Sequence, residues 1–144
     1  MATHLSNKLY SPALLALAAD LARYPFAEEL PLQAEARSRT CGSVITVGLA
    51  QDDHGLITRI GMQVSACAIG QASAALLAQG ITGTTPGLVR QTASGLSAWL
   101  AGEGELPQWR GIDALAPARD HPGRHGALLL PWNAVCEALS TGAA

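Results

Sequence analysis

Apolar residues recur at helical spacing in "NKLYSPALLALAADLARY" (residues 7–24), where Leu14, Leu15, Leu17 and Leu21 make up much of one face. Pro25 helps to end this helix. A short extended piece is expected around "LPLQAEARSR". The period then falls to two. In "CGSVITVGLA", Ile45, Val47 and Leu49 alternate with smaller or polar residues, and in "LITRIGMQVSA" Ile60, Met62 and Val64 do the same. The turn cluster "QDDHG" between them makes this pair a β-hairpin. After Cys67 the pattern returns to helix in "AIGQASAALLAQG", with Gly80 as its expected C-cap. "TTPGLVRQTASGLSAWLAGEG" predicts a second helix with Pro86 in its first turn, and "GIDAL" the start of a short third. A last helix lies within "GRHGALLLPWNAVCEALS", where Leu128, Trp132, Val135 and Leu139 form a stripe. Pro131 has no N–H to give the carbonyl of Ala127, so this helix is expected to start later or kink.

The order helix, strands, helices predicts an α+β fold, a small antiparallel sheet of about three strands with helices packed on it. There is no internal repeat, low-complexity tract or dividing linker, so residues 1–144 are expected to form one domain. Nearly half the residues (49%) are apolar but aromatics are scarce, which favours closely packed helices with small contact residues. The net charge of −2 leaves no electrostatic footprint for nucleic acid or an anionic membrane. No apolar run approaches the roughly 18 residues of a membrane span. The N-terminus lacks the charged-then-apolar layout of a signal peptide, and a cytoplasmic protein is expected.

Three cysteines, Cys41, Cys67 and Cys136, are an odd number for a disulfide framework. They read as free thiols or metal ligands, or as small buried hydrophobes. If the hairpin turn is centred on Asp53 and His54, Cys41 and Cys67 face each other near its open end, within roughly 5 Å between Cβ atoms. Cys67 also stands where a strand hands over to a helix. The unpaired N–H groups and dipole there favour negative charge, as a nucleophilic or ligating thiolate needs. The alternative is a cysteine that simply fills a tight strand–helix junction. Ser73, Trp99, Trp109 and Trp132 read as packing residues. His54 and the carboxylates of "QDDHG" read as a solvated turn at the far end of the hairpin.

Several of these segments, taken in order, resemble the U-type iron–sulfur cluster assembly scaffolds, the IscU/SufU/NifU N-terminal group, and the SufU branch most. "LY" at Leu9–Tyr10 opens the first helix as in that family, and "TCGS" at residues 40–43 resembles its Cys-Gly-Asp motif. "CAIGQASAALL" from Cys67 resembles its "GC-x-I-S-x-ASAS" segment. "GIDAL" followed by "HPGRHGALLLPWNAV" resembles its final segment, and the stretch between resembles the SufU insertion. The resemblance implies a SufE/NifU-like α+β fold. It also implies a site of three cysteines and an aspartate that holds a nascent cluster or zinc and accepts sulfur from a cysteine desulfurase.

Cys41 and Cys67 match two of those cysteines. Two positions depart: Ser43 stands in the aspartate position and Ala127 in that of the third cysteine. Cys136 is no shifted substitute, because nine residues further along a helix it lies on the opposite side and about 13 Å away along the axis. His125 is the candidate to complete a metal site, since imidazole and thiolate together suit zinc and iron–sulfur chemistry. Its alternative is a solvated residue at a helix start. Arg124 matches a family arginine and is a candidate to steady a thiolate or bound sulfur; otherwise it is a surface charge.

The leading expectation is an assembly scaffold, or a divergent paralogue, and not an enzyme. It would hold iron and sulfide or a transient cluster through Cys41 and Cys67 for transfer to acceptor proteins. Its partners would be a cysteine desulfurase, those acceptors and a second copy of the chain. Two alternatives remain open. One is a sulfurtransferase in which Cys67 takes persulfide sulfur; the other is a metal-free docking module that keeps only the fold.

Overall fold

The computed structural model describes residues 9–39 and 42–141. Helix α1 (Pro12–Asp20) begins at a cap in which the Ser11 hydroxyl accepts from the Leu14 N–H, with proline in the first turn where an N–H would lack a partner. It passes into a 3-10 turn, Leu21–Arg23. The helix is therefore shorter than its periodicity suggested, and Leu15 is not on its buried face. Leu14 is 1% exposed while Leu15 is 49% exposed, because consecutive residues point about 100° apart on a helix.

Strands β1 (Leu32–Arg37), β2 (Val44–Gln51) and β3 (Ile57–Ser65) form an antiparallel sheet in that order. Register explains its faces. Ala34 pairs with Val47 and Val47 with Met62, so the apolar sets of all three strands point the same way, toward the helices. On the opposite face two glycines, Gly48 and Gly61, are partners across β2 and β3. A Cβ on Gly48 would lie 2.8 Å from the Leu30 side chain, and one on Gly61 would strike the Pro25 carbonyl. The glycine pair thus makes room for residues 25–30. The segment is fastened at its start by the Met62 N–H donating to the Tyr24 carbonyl (2.8 Å).

The hairpin turn is held by Asp52, whose carboxylate accepts from the N–H groups of His54 and Leu56 (both 2.9 Å), and by Gly55 at φ +84°. The expected pairing about Asp53 and His54 needs correction. A register shift between Ala50 and Gln51 advances the ladder by one residue up to its last pair, Val44 with Ser65. Continued past that pair, the same register sets Gly42 against Cys67. Cys41 itself lies outside the described residues.

Helix α2 (Ala68–Ile81) is buried along almost its whole length and packs on α1, β3 and α4. Gly80 is inside the helix and is not its cap; the chain turns at Thr82 and at Gly83, which has φ +85°. The glycine at 80 serves a different need, since a Cβ there would sit 2.7 Å from the indole nitrogen of Trp109. Helix α3 (Pro86–Leu100) is capped by the Thr85 hydroxyl, which accepts from the Leu88 N–H. Two 3-10 stretches, Ile112–Asp120 and Pro122–Arg124, lead into α4 (His125–Thr141).

Helix α4 crosses β1 and β2 and packs on α2 and α3. Its stripe of Leu128, Trp132, Val135 and Leu139 is buried as expected. Pro131 does not delay the helix, which is continuous from His125 through the proline. Only one N–H is lost near the first turns, and the surrounding residues Leu130, Pro131 and Trp132 are all buried. Between α2 and α4 the buried Ser73 hydroxyl donates to the Leu128 carbonyl (2.6 Å) and accepts from the Trp132 indole (3.0 Å). Trp109 donates to the Leu76 carbonyl and meets Trp132 edge to face, with ring centres 4.9 Å apart. Both polar and apolar parts of this layer are satisfied, and among the described residues no buried side-chain polar atom lacks a partner. No helix among them is long and apolar enough to cross a membrane.

Candidate functional site

Three segments distant in sequence converge at the end of the sheet opposite the hairpin turn. The residue pair Gly42–Ser43 leads into β2, Ser65–Cys67 leaves β3 for α2, and Arg124 immediately precedes α4. Together they line a cleft of about 290 Å3. Larger clefts of about 450 and 330 Å3 lie over α3 and beside Asp20, but neither is lined by a cysteine or histidine.

Cys67 is the N-cap residue of α2, with extended backbone (φ −67°, ψ 172°). Its carbonyl accepts from Gln71 N–H and starts the helix, while the side-chain amide of Gln71 reaches back to the Ala66 carbonyl (2.9 Å). The junction is thus pinned on both sides of the thiol. The thiol itself caps no N–H of the helix and is half-buried in the cleft wall. Beside it, Ser43 is only 4% exposed, and its carbonyl accepts from the Ser38 N–H (2.9 Å). Gly42 takes a left-handed conformation, φ +71°, that suits glycine at this entry to β2. Arg124 has no carboxylate partner among the described residues, and none of the residues lining the cleft is acidic.

The remaining candidates stand elsewhere. The ring Nε2 of His125 is 2.8 Å from the Arg119 carbonyl. A carbonyl only accepts, so Nε2 is the donor in this contact. His125 is not among the residues lining the cleft. Ala127 is 1% exposed and lies in the α2–α4 crossing, where its Cβ is 3.5 Å from the point a Gly70 side chain would begin. Cys136 lies half-buried against the core, and burial pushes its thiol up, partly offset by the Arg90 guanidinium. Asp53 and His54 are exposed at the hairpin turn. Ser73 and the tryptophans are used in packing, as above.

Sequence reasoning missed Ser65 and Ala66 as walls of the cleft, although both stand directly before Cys67 in "SAC". Among the described residues no three His, Cys, Asp or Glu side chains gather as a metal site. What the cleft does bring together is one thiol, two serines and one guanidinium at a helix start, a set suited to holding negative charge.

No protein-family profile matches the chain, and neither does any curated protein. Among solved structures, it is similar to a nitrogen-fixing NifU-like protein (N-terminal) from Brucella abortus. That likeness has 30% identity and a TM-score of 0.86, over 94% of this chain and 95% of that one. A putative iron–sulfur cluster assembly scaffold protein for the SUF system from Fervidobacterium islandicum AW-1 shares the fold, with 22% identity and a TM-score of 0.84. There the match spans 93% of this chain and 98% of that one. With the three-stranded sheet, its covering helices and the motif order all in agreement, the chain belongs to the NifU-like N-terminal family.

Proposed function

We propose that this protein is an iron–sulfur cluster assembly scaffold, or a divergent paralogue of one. It takes iron and sulfide, or a nascent cluster, as cargo at Cys41 and Cys67 and passes it to acceptor proteins. The observation that carries this reading is the Cys67 cleft, which places a half-buried thiol at a helix start in a NifU-like fold. The Fervidobacterium protein of the same fold is described as a putative iron–sulfur cluster assembly scaffold.

The donor chemistry distinguishes cargo from a resident ion. A structural zinc site takes four protein ligands. Ser43 and Ala127 offer neither a carboxylate nor a thiolate, and the described cleft contributes one sulfur and a cation. A resident zinc does not fit this set. A cluster held as cargo can borrow ligands for its lifetime. His125 does not line the cleft, so the further ligands come from outside this set. A thiolate from a partner or a second copy completes the shell. A cysteine desulfurase would supply the sulfur, and acceptor proteins would receive the cluster.

Anaerobic reconstitution with iron and sulfide tests the proposal. The wild-type chain should gain visible charge-transfer absorption, and Cys41→Ala and Cys67→Ala should each abolish it. A spectrum unchanged in both variants would overturn the assignment of cargo to these cysteines.

A further inference from the structure

We infer that in this chain an arginine takes the place of a metal ion: Arg124 is the counter-charge for an anionic sulfur carried on Cys67, and the site loads sulfur with no resident divalent cation. The inference deepens the scaffold reading and rests on its use of Cys67 as a cargo residue. It identifies the species that the cleft receives first, a sulfane sulfur, and the three positions that set this preference.

The charge balance of the cleft is the starting observation. Its walls contain Cys67, Ser43, Ser65 and Arg124 and no carboxylate. A divalent cation placed there would meet a fixed positive charge with one described thiolate to offset it. An anion would meet a guanidinium that has no carboxylate partner among the described residues, at the N-terminal end of α2. The two positions where the resembled motifs carry further ligands are closed to a metal in different ways. Ser43 is buried and lacks a formal charge, and Ala127 is packed into the α2–α4 crossing against Gly70. His125 is turned to the Arg119 carbonyl through Nε2 and does not line the cleft.

The step is a thiol exchange. The Cys67 thiolate attacks the outer sulfur of a donor persulfide, the new Sγ–S bond forms as the donor S–S bond breaks, and the donor leaves as a thiolate. The proton shed by the Cys67 thiol balances the thiolate released. Sulfur moves at unchanged oxidation level, so no oxidant or reductant is consumed. Cys67 then carries a terminal sulfur anion that extends into the cleft toward the Arg124 side. Ser43 and Ala127 are the positions that determine selectivity, because they withhold the ligands a zinc ion would need.

The full-length chain, treated with a chelator and desalted, is incubated with cysteine persulfide and read by intact mass. An adduct of about 32 Da, one sulfur atom, is expected on Cys67. Its yield should be equal with and without the chelator, and absent in Cys67→Ala. Arg124→Gln should lower the retained adduct about tenfold, the worth of one charge-assisted hydrogen bond, and Arg124→Lys should restore part of it. The double variant S43D/A127C should gain about one zinc per chain, while the wild type holds far less. Loading that collapses on chelation, a wild-type protein that keeps a full zinc, or Arg124→Gln that loads and retains as the wild type does would each overturn the inference. A folded double variant that still refuses zinc would overturn the selectivity assigned to positions 43 and 127. The two readings fail separately. Persulfide without any reconstituted cluster removes the scaffold role and leaves this inference standing, whereas cluster formation that requires prior zinc removes the inference alone.

Discussion

At the scale of single residues, the two described cysteines occupy opposite kinds of place. Cys67 opens onto a polar cleft at a helix start; Cys136 lies half-buried against the core between α4 and neighbouring side chains. Burial penalises the Cys136 thiolate more than Arg90 relieves it, so its folded form binds the proton more tightly than its unfolded form. The resulting stability is whole below the ordinary thiol range and is lost as pH rises through the raised folded value. Alkylation of Cys136 should accordingly be slow near about pH 8 and quicken only in more alkaline solution. Arg90→Gln should delay it further, and peptide mapping after iodoacetamide pulses would read both. A Cys136 that reacts at the rate of a free thiol at neutral pH would contradict the assignment. The place of Cys67 at a strand–helix junction was legible because the period changes from two to helical at that residue. Its neighbours were less so: Ser43 and Arg124 reach it only through the packing of β2 and α4, and local pattern does not encode that approach. The Nε2 bond of His125 to a backbone carbonyl likewise has no signature in residue type.

Elements show a similar division between local and distant causes. The start of α3 was readable from Pro86 in its first turn, whereas α1 begins later than its periodicity suggested, at Ser11–Pro12, where a capping hydroxyl precedes a proline that needs no partner. Helix ends were not readable. Gly80 looks like a stop signal, yet the helix runs through it, and the residue is glycine because the Trp109 indole occupies the space a side chain would need. Gly80→Ala would gain about 1 kcal/mol of helix propensity. Displacement of the indole should reverse that sign, with a net loss of about 1–2 kcal/mol by urea unfolding. A stabilised variant would show that Trp109 does not seat as described. The strands were read with their correct inward faces, and the error lay in register. One bulged residue, Thr58 of β3, faces the Ala50–Gln51 step and shifts every later pair, and bulges depend on turn geometry that hydrophobic alternation cannot report.

For the molecule as a whole, the α+β class and the layering of helices on one sheet face followed from element order, while the role of the stretch after α3 did not. This stretch carries Trp109, then the 3-10 turns, and ends at Arg124 on the rim of the cleft. Its fastening to α2 is the Trp109 indole, bonded to the Leu76 carbonyl and set against Trp132. Trp109→Ala should cost roughly 3 kcal/mol and should speed amide exchange in Ile112–Asp120 more than in β2. Sulfur retention on Cys67 should fall with it, because Arg124 loses its anchorage; exchange unchanged in that segment would refute the coupling. The same edge-to-face pair has a practical use. Two indoles with centres 4.9 Å apart and planes 80° apart couple their excited states. Circular dichroism in the indole bands therefore supplies a label-free optical gauge of how the stretch after α3 seats on α4, readable while iron and sulfide are added and withdrawn.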